Sequence, residues 1–113
     1  MIQRLAGKVP SRSRAVIHDG LIYTVATSAQ KSPSLYEQTR QALAAIDKTL
    51  AEAGSSKSRI LRATVYITDW SKKWERTRAW EEWVDMANPP QRACIGVALE
   101  GDDLVEILVI AAQ

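Results

Sequence analysis

The sequence predicts an α+β fold with the element order β-β-α-β-α-β-β, in which a single mixed sheet carries two helices on one face. Three observations lead to this prediction: short alternating strands, two segments with helical spacing of apolar residues, and a crossover connection at each helix. Because a crossover returns the chain in the same direction, the strands that flank each helix can run parallel. The 113 residues have the length of one domain, 1–113, in which we expect residues 1–12 to be a mobile N-terminal segment.

The first predicted element is a β-hairpin within residues 15–28. Asp19-Gly20 lies between two apolar runs, and this dipeptide favours a type I′ turn, which needs positive φ at both central residues. The single histidine, His18, directly precedes the turn. A surface position at the end of a strand is favoured over a catalytic role for it.

A helix is predicted over 35–53. Ser34 and Glu37 have capping-box spacing, with which a side chain bonds a free backbone N–H at the start of a helix. Gly54 follows at the position where a residue in the left-handed conformation ends many helices. The apolar stripe of this helix consists of Leu43, Ile46, Leu50 and Ala53.

The segment 59–68 is predicted to be a strand, because it is rich in β-branched residues and alternates along its length. The side chains expected to face the core are Leu61, Ala63, Val65 and Ile67. The side chains expected on the other face are Ile60, Arg62, Thr64, Tyr66 and Thr68.

A second helix is predicted to begin at Ser71, whose hydroxyl can cap its N-terminus. Pro89-Pro90 is expected to end it, since proline cannot donate to the hydrogen bonds of a helix. The apolar stripe of this helix consists of Trp80, Trp83, Val84 and Ala87.

Two final strands are predicted over 92–98 and 103–111. If they form a simple hairpin, Glu106 pairs with Gly96. Arg92 then lies four residues further along, roughly 13 Å away at the usual strand rise, which is too far for a direct ion pair. The two charged side chains could still flank one cleft that a neighbouring subunit closes.

One face of the predicted sheet has no cover. Both helices are expected on the same side, and a sheet face that carries apolar residues must be shielded from water. A second copy of the chain is the simplest cover, so the sequence predicts an oligomer without fixing the number of subunits.

Composition and charge exclude several classes of protein. No apolar run reaches the roughly 18–20 residues that span a bilayer, and we expect no secretory signal, because the N-terminal residues lack an apolar stretch. One Cys and one His can form neither an internal disulfide nor a structural zinc site, which favours a reducing, cytoplasmic setting. A net charge of +2 is too small to predict nucleic-acid binding, so a solvated N-terminal segment is favoured over an RNA-binding arm.

Two charged residues interrupt the apolar final strands. Arg92 shares a face with Cys94 and Gly96, and Glu106 lies inside the run LVEILVIAA, on the same face as Leu108. Burying an unpaired carboxylate costs several kcal/mol. The two side chains therefore either reach water at the edge of the sheet or belong to a functional cleft.

The segment PPQRACIGVALEGDDLVEILVIAA resembles the C-terminal signature of the RidA family (YjgF/YER057c/UK114), in which a proline-flanked Arg-x-Cys strand precedes a Val-Glu-Ile strand. The segment EQTRQALAAIDKTLAEAGSSKSRILRATVYITD is similar to the first helix of that family, its Ala-Gly turn and the next strand. With the hairpin IHDGLIYT included, the resemblance covers residues 15–111.

This resemblance implies a chorismate-mutase-like fold and a homotrimer whose three sheets face inward, with ligand clefts between subunits. It implies hydrolysis of reactive enamine and imine intermediates of small carboxylate-bearing metabolites to 2-keto acids and ammonia, without a metal or organic cofactor. In that role Arg92 would bind the substrate carboxylate and Glu106 would orient or activate water. Cys94 would line the pocket without acting as a nucleophile, since no histidine is placed to activate it.

The chain departs from the deaminase pattern of the family at three places. Val25-Ala26-Thr27 stands where active members have Ser-Gly-Gln, so Ala26 and Thr27 are the candidate substrate-binding residues there. Thr77 stands where an asparagine is expected, and Arg12-Ser13-Arg14 contains no counterpart of an expected tyrosine. Two alternatives stay open: a non-catalytic trimer that binds a carboxylate ligand in the same cleft and, less favoured, a ribonuclease.

Overall fold

The computed structural model describes residues 1–113 and contains one six-stranded mixed sheet with two helices, which confirms the predicted fold class. The strands are β1 (Gln3–Ala6), β2 (Ser13–His18), β3 (Leu21–Ala26), β4 (Ile60–Ile67), β5 (Gln91–Gly96) and β6 (Val105–Ala112). The helices are α1 (Leu35–Glu52) and α2 (Lys73–Trp83). The order across the sheet is β1-β2-β3-β6-β4-β5, and β4 and β5 are the only neighbouring strands that run parallel.

The core lies between the helices and one face of the sheet. From α1 it receives Leu43, Ile46 and Leu50, three residues of the predicted stripe, and the fourth, Ala53, is buried at the C-terminal cap of the helix. Burying one such side chain contributes roughly 2 kcal/mol, so this stripe holds α1 on the sheet. The sheet residues with no exposed surface are Ile22, Ala63, Val65, Ile67, Val105, Ile107 and Ala111.

Local signals in the sequence act as predicted around the hairpin and α1. Asp19 and Gly20 have φ values of 50° and 76°, as a type I′ turn requires. The Ser34 hydroxyl accepts a hydrogen bond of 3.1 Å from the backbone N–H of Glu37. Gly54, with φ of 79°, follows the end of α1.

One strand of the sheet is absent from the predicted order. β1 pairs antiparallel with β2, with Gln3 opposite Ile17. The prediction that residues 1–12 are mobile is therefore wrong for residues 3–6, which form a strand of the sheet. The sequence of this strand shows no alternation of apolar and polar residues, because the strand lies at the edge of the sheet. Three of its four side chains are exposed, and only Leu5 packs against the core.

The predicted hairpin of the last two strands is also wrong. β4 lies between them: it pairs parallel with β5 and antiparallel with β6. Glu106 is therefore opposite Tyr66 of β4, and Gly96 is opposite Ile67. The physical reason is the crossover through α2, which returns the chain beside β4 and occupies the edge that a hairpin would have used.

The alternation of β4 is broken at its start. The pairing with β6 shifts between Ile60 and Arg62, so Leu61 is an extra residue in a β-bulge. Ile60 is buried and Leu61 is 51% exposed, the reverse of the predicted faces at this end of the strand. From Ala63 onward the predicted core face is correct.

α2 begins and ends differently from the prediction. The Asp69 side chain, rather than Ser71, accepts the first free N–H, and a 3-10 turn over Trp70–Lys72 leads into the helix. The helix ends at Trp83 because Val84 is extended, with ψ of 146°, well before Pro89-Pro90. Trp80 lies in the core, whereas Val84 and Ala87 lie beyond the helix.

The face of the sheet that points away from the helices, here called the open face, carries large apolar side chains. Tyr23, Val25, Ile95 and Leu108 lie on it and are between 38% and 44% exposed. Isolated exposed apolar residues are common, but a contiguous group on one sheet face indicates an interaction surface. The structure thus has the uncovered apolar sheet face that the sequence predicts.

Candidate functional site

Arg92 lies on the edge strand β5, on the helix side of the sheet. It pairs with Ala63, whose side chain is buried in the core, and residues paired across a sheet point to the same face. Its guanidinium carbon lies 5.6 Å from the centre of the Trp80 ring, within the range of a cation–π contact. No carboxylate pairs with Arg92 and no hydrogen bond satisfies it, so its donors are free to bind an anion.

Cys94 follows two residues later on the same face and is half-buried. Burial raises the pKa of the Cys94 thiol, and the nearby charges of Arg92 and Lys73 offset only part of that effect. A raised pKa keeps the thiol protonated at neutral pH, and a protonated thiol is a poor nucleophile. The structure therefore supports a lining position for Cys94.

Two residues that precede or begin α2 complete this surface. The ring of Trp70 lies over Gly96, where an added Cβ atom would come within 3.6 Å of it, and the Lys73 ammonium lies 5.3 Å from the centre of that ring. We call this surface the α2–β5 groove. Its side chains are Trp70, Lys73 and Trp80 on one wall and Arg92 and Cys94 on the other.

Glu106 lies on the opposite face of the sheet. It is the second residue of β6, pairs with Tyr66, and points to the open face, because its neighbours Val105 and Ile107 point into the core. Its side chain is partly exposed and has no hydrogen-bond or ion-pair partner in the structure. A free carboxylate at this position can accept a proton or orient water.

The candidate residues at the end of β3 lie beside Glu106. Ala26 pairs with Ile107 and its methyl group packs against the core. Thr27 directly follows this last pair of β3 and β6, and continuing the same register by one residue places it across from Glu106. Thr27 and Glu106 therefore form a second polar group, here called the open-face pair.

One chain does not bring its candidate residues together. The α2–β5 groove and the open-face pair lie on opposite faces of the same sheet. A single ligand cannot contact both through the sheet. The two groups can meet only when one copy of the chain places its β5 edge against the open face of another.

Sequence reasoning missed Lys73 and Trp70 as parts of the site. Lys73 is seven residues before Trp80 and therefore lies on the same face of α2. Helical spacing could have predicted that Lys73 lies on the side of Trp80 that contacts Arg92. Trp70 could not be found this way, because it lies in the 3-10 turn before the helix.

Gln38 of α1 anchors the loop that leads into β6 and Glu106. Its side chain has no exposed surface, and its amide nitrogen donates to the carbonyl oxygens of Ser32 and Asp102 at 2.7 and 3.0 Å. Its amide oxygen accepts from the backbone N–H of Leu104 at 2.9 Å. One buried side chain thus fixes the backbone two residues before the carboxylate.

The substitution Gln38→Leu should lower the free energy of unfolding by about 2–4 kcal/mol, because it leaves three backbone groups without partners. Urea denaturation measures the change. Gln30→Leu is the control, since the Gln30 side chain is exposed and makes no hydrogen bond. Equal losses in both variants would show that Gln38 does not anchor the loop.

The remaining features of the chain add no further site chemistry. No group of three or more His, Cys, Asp or Glu side chains is placed to hold a metal ion. None of the helices combines the length and the apolar character needed to cross a membrane. His18 is exposed beside Asp19 at the hairpin, near the end of β6 that lies away from Glu106.

Comparison with known proteins identifies close relatives of this chain. Residues 3–113 match the family model described as Endoribonuclease L-PSP. A RutC family protein of Haemophilus ducreyi is 41% identical over 102 residues, which cover 88% of this chain and 87% of that protein. The RutC family protein YoaB of Escherichia coli is 34% identical over 101 residues, covering 88% and 89% of the two chains.

A solved structure extends the likeness to the whole fold. The crystal structure of a YjgF family member from Neisseria meningitidis superposes with a TM-score of 0.94 at 34% sequence identity. The superposition covers 100% of this chain and 95% of the other.

Proposed function

This chain belongs to the Endoribonuclease L-PSP family, which includes the RutC and YjgF proteins, and on that basis we propose that it hydrolyses reactive imines and enamines of small carboxylate-bearing metabolites to 2-keto acids and ammonia. The observation that carries the proposal is Arg92. Its guanidinium is held by Trp80 and has no partner of its own. A planar guanidinium binds a carboxylate through two parallel hydrogen bonds, which also orient the rest of the substrate.

The proposed reaction needs one base and one water molecule. Glu106 accepts a proton from water while the water oxygen forms a bond to the imine carbon, and it then returns that proton to the substrate nitrogen. The hydroxyl proton of the resulting carbinolamine passes through Glu106 to the nitrogen, the carbon–nitrogen bond breaks, and ammonia leaves as the carbonyl forms, which regenerates the carboxylate. An enamine enters the same route after protonation at its terminal carbon. The sum is imine plus water to 2-keto acid plus ammonia, with Arg92 holding the carboxylate throughout.

The proposed site is shared between subunits of a homotrimer. The groove of one copy supplies Arg92 and Cys94, and the open face of the next supplies Glu106 and Thr27. Two observations support this arrangement: the separation of the groups on opposite faces, and the apolar open face that needs a cover. Head-to-tail interfaces of this type close into a ring when the rotation between copies adds up to a full turn, and the family resemblance implies a ring of three.

Light scattering at micromolar concentration should give about three times the 12.5 kDa mass of one chain. Leu108→Lys should give a monomer, because it places a charge in the centre of the open face. Trp74→Lys is the control, since Trp74 is exposed outside that face and its change should leave the trimer intact. A monomeric wild-type chain would contradict the shared site.

The function is tested by ammonia release from 2-iminobutanoate that an amino-acid oxidase generates in the cuvette. We expect the chain to accelerate release above the spontaneous rate, with Arg92 required. No acceleration together with Arg92-dependent binding of 2-ketobutyrate would instead support the non-catalytic carboxylate-binding protein. Cleavage of RNA without either result would support the ribonuclease.

A further inference from the structure

Arg76 of α2 is a buried cation without a partner. Its side chain is 4% exposed, and its Nε and Nη1 atoms are sealed from water with no hydrogen-bond acceptor. No carboxylate forms an ion pair with it. The proposed reaction, as derived from Arg92 and Glu106, makes no use of this residue.

An unpaired buried guanidinium is costly to the folded chain. Arginine keeps its charge at any physiological pH, so it cannot escape the cost by losing a proton. Buried charges in proteins are therefore paired or bound to a ligand. An apolar residue at this position of α2 would cost less folding free energy than a buried charge. The presence of arginine therefore indicates that the guanidinium pairs with an anion from outside the chain.

The position of Arg76 points to the α2–β5 groove. It lies three residues after Lys73 and four before Trp80, which puts all three on one face of α2. Lys73 and Trp80 lie on the side of α2 that faces β5. The charge of Lys73 lowers the pKa of the Cys94 thiol in part, and the ring of Trp80 packs against Arg92. Arg76 therefore lies between them along the wall of the groove.

None of the ion pairs in the structure involves a cation of this wall. Glu75 faces α1, where its carboxylate accepts from the backbone N–H of Tyr36, and Glu82 accepts from the Tyr36 hydroxyl. The Asp69 carboxylate accepts hydrogen bonds from the backbone N–H and the hydroxyl of Ser71. The groove thus has the positive charges of Arg92 and Lys73 at its surface and that of Arg76 buried in its wall, although one carboxylate needs only one of them.

We propose that the groove binds substrates with two anionic groups, the first held by Arg92 and the second by Arg76 with help from Lys73. This inference rests on the proposed function and narrows its substrate class to imines of dicarboxylic 2-keto acids or molecules of the same charge pattern. Arg76 is one helical turn, roughly 5 Å along the axis, from the ring that holds Arg92. A five-carbon dicarboxylate has a suitable length to contact both guanidinium groups.

The test compares two probes that differ in one group. 2-Ketoglutarate and 2-ketovalerate have the same carbon chain and the same 2-keto acid end, and only the first has a second carboxylate. Titration calorimetry should give an affinity for 2-ketoglutarate at least about tenfold higher, the effect of roughly one charge-assisted hydrogen bond. Arg76→Met should remove this preference and leave the affinity for 2-ketovalerate unchanged.

Arg78→Met is the matched control. It removes one positive charge from the same helix, but Arg78 is exposed and pairs with Glu82. This variant should keep the preference of the wild type. Arg76→Met should also melt at a higher temperature than wild type without ligand, because it removes the unpaired charge. Should Arg76→Met fail to fold, Lys73→Met tests the same preference, which it should reduce.

The outcomes separate the two proposals. Equal affinity of the wild type for both keto acids, or a preference that Arg76→Met and Lys73→Met both keep, would overturn the dianion inference and leave the proposed function standing. Binding of neither keto acid and no acceleration of imine hydrolysis would overturn the proposed function itself. Binding of 2-ketoglutarate alone, lost in Arg76→Met, would support the inference most strongly.

Discussion

Arg92→Ala should weaken the binding of 2-ketobutyrate by on the order of 100-fold or more and abolish imine turnover, because it removes both hydrogen bonds to the substrate carboxylate. The chain should stay folded, since Arg92 lies on an exposed edge strand and makes no hydrogen bond or ion pair within the chain. Calorimetry measures the affinity, and ammonia release measures the turnover.

Arg92→Lys separates charge from geometry. Lysine keeps the positive charge but cannot form the paired hydrogen bonds, so most of the loss should remain. Arg40→Ala is the control, because it also removes an exposed arginine but from the outer side of α1, where Arg40 pairs with Glu37. Full activity in Arg92→Ala would remove this residue from the site. Full activity in Arg92→Lys would show that the paired geometry is unnecessary.

Glu106→Gln should reduce turnover on the order of 100-fold or more while 2-ketobutyrate still binds, because the amide keeps the shape of the side chain but cannot accept the proton of water. The free energy of unfolding should stay the same or rise slightly, since an amide is less costly to desolvate than a carboxylate. Ammonia release and calorimetry on one preparation provide both values.

Glu81→Gln is the control for the lost charge, because Glu81 is exposed on α2 and makes no ion pair. Its turnover should match that of the wild type. A non-catalytic binding protein would behave differently: it would have no turnover to lose, and its affinity for the keto acid would stay or rise in Glu106→Gln. Full turnover in Glu106→Gln would assign the activation of water to another group.

Much of the fold could be predicted because its signals are local. The turn at Asp19-Gly20 and the cap at Ser34 depend on a few adjacent residues, and both act as predicted. The place of β4 between β5 and β6 depends on how α2 packs across the sheet, and no adjacent residues encode it. The bulge at Leu61 could not be predicted from adjacent residues either, because it arises from the pairing of β4 with β6.

The candidate site was predictable in part for the same reason. The spacing in each strand places Arg92 with Cys94 on one face and Glu106 with Leu108 on one face, and the structure confirms both. Their separation on opposite sides of the sheet follows from the strand order, which the sequence does not show. That separation is what makes a second subunit necessary to the proposed chemistry.

The shared site is tested most directly by mixing two inactive variants. Arg92→Ala and Glu106→Gln chains, denatured together and refolded in equal amounts, are expected to form mixed trimers of the proposed kind. If each site takes Arg92 from one subunit and Glu106 from another, about a quarter of the sites in a random mixture regain both residues. We expect ammonia release from 2-iminobutanoate to return to about a quarter of the wild-type rate under these conditions. A mixture no more active than the separate variants, with subunit exchange verified by a tag on one chain, would contradict the shared site.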